Sequence, residues 1–130
     1  MTETIYYRII DHFELNLIEK ANGLECSPKH WHQFQANTIV NLFKSDSPIE
    51  LAKRYAIEIS IELDEKIDEG LYVLEIKDPP GEIENSISQK EWPEAVAHIG
   101  RIPMSHIVRK WRIDLTKKNS SYLFKSLIEI

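Results

Sequence analysis

The amino-acid sequence predicts a mainly helical α+β fold, about five helices with one short strand pair, on three observations. Apolar residues recur three and four apart near the start of the chain. Two Ser-Pro pairs read as helix starts. One run, 71–76, is dense in strand-forming residues.

Tyr6, Ile10, Phe13 and Leu17 stand 4, 3 and 4 positions apart, with Ile5 and Ile9 beside them. That spacing predicts a helix with one wide apolar stripe, ending near Ala21 because Asn22 and Gly23 tolerate a left-handed cap. Phe13, Leu15 and Leu17 also alternate, so a short strand is the rival. Ser27-Pro28 is a stronger start signal: serine accepts from unpaired first-turn amides, and proline loses nothing at the first helical position. The helix it opens carries Trp31, Phe34, Thr38 and Leu42 on one side and ends near Lys44.

Ser47-Pro48-Ile49-Glu50 repeats the signal and adds a glutamate three residues after the serine, the reciprocal capping arrangement. From there Ala52, Tyr55, Ala56, Ile59, Leu63 and Ile67 share a helical side, and Gly70 closes the helix. Residues 57–63 stay open between helix and strand. Ile57, Ile59, Ile61 and Leu63 alternate with polar residues, and β-branched side chains favour a strand. In that case 57–63 pairs with 71–77.

Leu71 to Ile76 reads as a strand on either reading, bounded by Gly70 and by Asp78-Pro79-Pro80-Gly81. A lone strand needs a partner. The options are 57–63, the C-terminal segment, or a second copy in a homodimer. Residues 78–87 form a short loop inside a single domain, 1–130. A turn at 88–92, a short helix from Pro93 to Ile99 stopped by Gly100, and a helix from Pro103 carrying Met104, Val108 and Trp111 inward complete the expectation. After a turn at 117–120, residues 122–130 either form a helix pairing Leu123 with Leu127 and Phe124 with Ile128, which is preferred, or a strand against 71–77.

An apolar fraction of 42%, 28% charged residues, 4 glycines and 6 prolines fit an ordered globular domain and exclude a disordered or fibrous chain. No apolar run approaches the roughly 18 to 20 residues that span a bilayer, and Met-Thr-Glu-Thr lacks the basic flank of a secretory signal. The expected location is cytoplasmic, away from membranes. Cys26, the single cysteine, forms no intrachain disulfide and reads as a small packed side chain.

The net charge of −5 is unevenly distributed: residues 1–100 carry 9 Lys or Arg against 19 Asp or Glu, whereas 101–130 carry 7 against 2. Either the basic tail folds against its acidic body or the molecule shows two unlike faces.

No motif specifies a reaction. His30 and His32 lie too far around a helix to share an ion; His98 and His106 flank the turn through Gly100 and Pro103 and could converge on an ion with Glu94 or Glu91, but ordinary surface or capping histidines are the plainer reading. No metal and no cofactor are expected. Glu58 with Glu62, or Glu62 with Glu65, offers an acid–base pair in principle, but a solvated acidic face is the plainer reading. Nucleophile elbows and Gly-x-Gly phosphate cradles are missing from the sequence. An enzyme would have to assemble its site from residues distant in sequence.

The leading expectation is an acidic protein–protein interaction module, of inhibitor, immunity or adaptor type. It would bind a basic protein through Glu58, Glu62, Glu65 and Glu69, with Trp31 as an exposed aromatic anchor. A third reading is a nucleic-acid accessory protein using Arg109, Arg112, Lys117 and Lys118, with Arg101, Lys110 and Lys125 adding to the basic field and Trp111 and Tyr122 interleaved. The acidic body opposes that reading, and helical periodicity sends Trp111 into the core.

Overall fold

Tyr6 and Ile10 do share an apolar face, but it is the face of a strand. The computed structural model describes residues 4–25, 39–54, 70–85, 92–118 and 121–130. Its elements run β1 (Ile5–Asp11), α1 (His12–Ala21), β2 (Gly23–Leu24), β3 (Ile39–Phe43) and β4 (Leu71–Lys77), then β5 (Ile83–Asn85), β6 (Ala95–Ile99), β7 (Ile102–Pro103), β8 (Ile107–Lys118) and β9 (Ser121–Glu129). Between β3 and β4, residues 48–54 form a helix, α2, and a short 3-10 turn, Met104–His106, leads into β8. The described chain is therefore mostly antiparallel sheet with two helices, and the expectation of a mainly helical protein is wrong.

Seven strands make one antiparallel sheet in the order β5-β6-β3-β1-β4-β8-β9, and β2 pairs with β7 in a two-stranded ribbon. On one face, Tyr6, Ile10, Val40, Leu42, Leu74 and Ile76 pack against Leu15 and Ile18 of α1. On the other, Tyr7, Val73, Trp111 and Ile113 pack against Leu51 and Ala52 of α2. β4 lies between β1 and β8 with both faces covered, which is why Leu71, Tyr72, Val73, Leu74 and Ile76 are all buried and why the run lacks polar alternation. Its partners are β1 and β8, neither of which was among the three options the sequence offered.

The corrections share a physical cause. A spacing of four residues keeps two side chains on one face of a helix, and, being even, on one face of a strand as well. Tyr6/Ile10 fits both periods; Leu123/Leu127 and Phe124/Ile128 would do so in a regular strand, but a bulge at Lys125 leaves Leu123 and Ile128 exposed and turns Phe124 and Leu127 to the core. Here β-branched and aromatic density decides: Ile5, Tyr6, Tyr7, Ile9 and Ile10 form β1 rather than the first half of a helix. The segment from Pro103, expected as a helix, yields only the 3-10 turn before β8, where Arg109, Trp111, Ile113 and Leu115 alternate with Lys110, Arg112 and Asp114. Residues 93–99 are a turn followed by β6, not a helix, and 122–129 lie in β9, paired with β8 rather than with 71–77. Ile39–Phe43 is a strand where a helix through Lys44 was expected, and 83–85 inside the expected loop is β5. The 57–63 question lies outside the described residues.

Several local signals hold. α1 ends at Ala21 as expected, with Asn22 in the left-handed region at φ 56°, whereas its start, where Asp11 accepts from the Glu14 amide at 2.8 Å, falls later than the sequence predicts. Ser47 caps α2, accepting from the Glu50 amide at 3.2 Å. Gly23 does not serve as the cap; it belongs to β2, where a Cβ would come within 2.5 Å of the Ile102 carbonyl oxygen. No described helix is long and apolar enough to cross a membrane.

Candidate functional site

On the α2 side of the sheet, the start of α2 and the β8–β9 hairpin enclose a concavity of about 550 Å³ that opens to solvent. Pro48, Ile49 and Lys53 contribute from α2, Arg109 and Trp111 from β8, and Phe124, Lys125, Ser126 and Leu127 from β9. Each wall has a sequence-level cause. The Ser47-Pro48 start fixes where α2 begins, and so brings Ile49 and Lys53 to the rim. Period-two alternation in β8 sends Arg109 and Trp111 to the same face.

The β9 wall depends on an irregularity. Ser126 sits opposite Asp114 and Phe124 opposite Leu115, so Lys125 is an extra residue in a β-bulge. In an uninterrupted strand Phe124 and Leu127 would point to opposite faces. With the bulge between them, both pack toward the α2-side core. The bulge therefore builds the apolar wall and leaves Lys125 exposed beside it.

Three cations surround the apolar lining. Lys53 holds its ammonium 6.0 Å from the centre of the Phe124 ring and 3.5 Å from Glu50. Arg109 stacks its guanidinium 4.5 Å from the Trp111 ring centre and is bonded at 2.7 Å to Glu129. Lys125 reaches Asp114 at only 4.0 Å. The lysine pairs are exposed, so their partners hold them weakly.

Arg109 is more firmly placed, because Tyr7, Glu75 and Arg109 are cross-strand neighbours on β1, β4 and β8. The Tyr7 hydroxyl donates to Glu75 at 3.3 Å. Burial, and then the charge of Glu75, raise the Tyr7 hydroxyl pKa above its ordinary value. The hydrogen bond to Glu129, with the charges of Glu129 and Glu75, raises that of Arg109. Arg109 is thus held to Glu129 by two bonds, 2.7 and 3.2 Å, whereas Lys53 and Lys125 each make a single long ion pair, 3.5 and 4.0 Å.

Beside the groove, Arg54 of α2 stacks 4.1 Å from the Trp92 ring centre and bonds Glu94 at 2.5 Å, while Trp92 lies 5.1 Å from Phe43. This ties α2 to the β3 and β6 end of the sheet. On the opposite face, Arg8 holds Glu14 through two bonds of 2.6 and 2.9 Å and donates to the Asn41 carbonyl at 2.8 Å, joining β1, α1 and β3.

Of the residues singled out from the sequence, Glu58, Glu62, Glu65, Glu69 and Trp31 lie outside the described residues. Arg109 stands at the groove. Arg112 is exposed on the other face of β8, in register with Tyr72 and Ile128, so it and Arg109 do not share a surface. Lys117 and Lys118 end β8, their side chains outside the described residues. Trp111 is buried, as expected, although in a strand.

His98 is fully buried, its ring nitrogens facing the carbonyl oxygens of Gly100, at 2.8 Å, and Pro80. His106 faces the Lys77 carbonyl at 3.1 Å, and His12 the Tyr72 hydroxyl at 3.4 Å. Each described histidine is thus engaged by its own surroundings. Among the described residues, no three His, Cys, Asp or Glu side chains converge as a metal site. The sequence passes over Lys53 and offers Lys125 only as one cation of a nucleic-acid surface. The helix start at Ser47 was a usable signal for the first, but nothing in the sequence announces the bulge that positions the second.

No protein-family model and no curated protein matches the chain. Among solved structures, a chain named EcPltA is similar, with a TM-score of 0.58 at 10% identity over 97% of this chain and 85% of that one. A likeness at that identity is one of fold alone.

Proposed function

We propose that this protein is a protein–protein interaction module whose working surface is the groove between α2 and the β8–β9 hairpin. The supporting observation is the combination found there: Lys53, Arg109 and Lys125 around a lining of Ile49, Trp111, Phe124 and Leu127. An aromatic and aliphatic centre with a charged rim is the anatomy of a binding hot spot, and the rim charges set which partners approach. The charged residues that line the groove are all cations, and their acidic partners Glu50, Glu129 and Asp114 stand outside the lining. A partner meeting it therefore presents acidic side chains, in contrast to the basic partner expected from Glu58, Glu62, Glu65 and Glu69.

The test is affinity capture from host lysate at low and high salt, using the natural chain and a Lys53→Glu, Lys125→Glu double variant side by side. The reading predicts a stoichiometric protein retained by the natural chain at low salt and lost from the variant. Identical retained material on both chains contradicts it, as does retention of nucleic acid in place of protein.

A further inference from the structure

From the groove's chemistry we infer the class of segment it takes: an extended acidic stretch of a partner chain with one aromatic side chain flanked by carboxylates. This inference rests on the interaction-module reading above and specifies its partner.

The apolar lining asks for a flat apolar side chain. Trp111 and Phe124 come from adjacent strands, and the bulge at Lys125 puts Phe124 and Leu127 on the same side. Pro48 and Ile49 close the opposite wall. An aromatic ring fills such a space with good contact area and little loss of rotamer freedom. The rim asks for negative charge on either side of that ring. The side chains of Lys53 and Lys125 are 50% and 69% exposed, and both have long, weak contacts with their present acidic neighbours. Exchanging those neighbours for a partner's carboxylates is therefore inexpensive.

Openness selects a chain segment over an isolated small molecule. A small ligand depends on a pocket that buries most of its surface, whereas a segment is held by one buried anchor and by its flanks. A polyanion such as nucleic acid fits less well, because Arg109 and Arg112 stand on opposite faces of β8 and the cations form no continuous track for a phosphate backbone.

The experiment uses backbone amide shifts of the natural chain titrated with three capped five-residue peptides. The first has phenylalanine with two glutamates on each side, the second replaces the glutamates by lysines, and the third replaces the phenylalanine by alanine. Naphthalene-2-sulfonate serves as a small-molecule arm. We expect the first peptide to shift Ile49, Lys53, Lys125 and Ser126, to weaken at least tenfold in the Lys53→Glu, Lys125→Glu variant, and to bind better than the other two. The exposed positions of both lysines keep the variant folded, and its dispersed spectrum verifies this.

Equal or tighter binding of the lysine or alanine peptide at the same residues overturns the acidic-aromatic class while leaving the groove as a binding surface. Binding of naphthalene-2-sulfonate without the first peptide overturns the segment and makes the occupant a small molecule. Shifts confined to other surfaces, or no shifts with any probe, overturn both the class and the groove reading.

Discussion

Tyr7 shows how one buried hydroxyl links the core to the surface. It packs against Trp111 with ring centres 6.4 Å apart and donates to Glu75, which lies in register between it and Arg109. Burial and Glu75 raise its pKa above the ordinary value of 10. A group whose pKa is higher in the folded state stabilises fully below its unfolded value, and that stabilisation is lost as pH rises through the folded value. Stability should therefore fall more steeply above about pH 10 in the natural chain than in Tyr7→Phe. Urea midpoints of the two proteins measured from neutral to strongly alkaline pH check this: their difference shrinks as pH rises, and a constant difference contradicts the assignment. Tyr6, raised by burial alone, leaves a residual slope in both. None of this was legible beforehand, since the sequence reading placed only Tyr6 of this pair and put it on a helix.

α2 is the element on which the groove depends. It is held at its start by the Ser47 cap, along its inner side by Leu51 and Ala52, and near its described end by Arg54 between Trp92 and Glu94. Losing a serine cap costs about 1 kcal/mol. Losing a half-exposed cation over an aromatic ring, together with a solvent-screened ion pair, costs a similar amount, about 1 kcal/mol. Ser47→Ala and Arg54→Ala each lower stability by that order in chemical denaturation. Because the two contacts lie at opposite ends of the described helix, their effects should add. A double variant no less stable than either single one would show that α2 is anchored elsewhere.

The start of this element could be read from Ser47-Pro48, as the end of α1 could from Asn22. What could not be read was period: even spacings serve helix and strand alike, and the bulge in β9 sets Phe124 and Leu127, three apart, on one side as a helix would. Asp11 followed by Glu14 was the overlooked sign that the first helix begins at His12, with a strand before it. Arg54 meets Trp92 and Glu94 across a separation of about 40 residues that no local pattern reports.

At the scale of the molecule, one antiparallel sheet carries two cores, and the side covered by α2 differs in character from the side covered by α1. The basic tail meets the acidic body at one of its described ion pairs and its own two carboxylates at the others. Arg109 and Lys125 meet acidic residues within the β8–β9 hairpin, and Arg101 crosses to Glu25 at 2.7 Å. Yet Lys53 and Lys125 remain largely exposed beside an apolar groove. The basic segment 101–130 thus folds partly against its own carboxylates and partly outward.

On the proposed function, this groove is where the protein meets its partner. The most direct test is to map the bound surface of the natural chain with the partner that survives the salt and charge-reversal comparison, by amide hydrogen exchange of the complex against the free protein. The account predicts protection concentrated at 48–53, 109–111 and 124–127. Protection confined to the α1 face, with these three stretches unchanged, would contradict it.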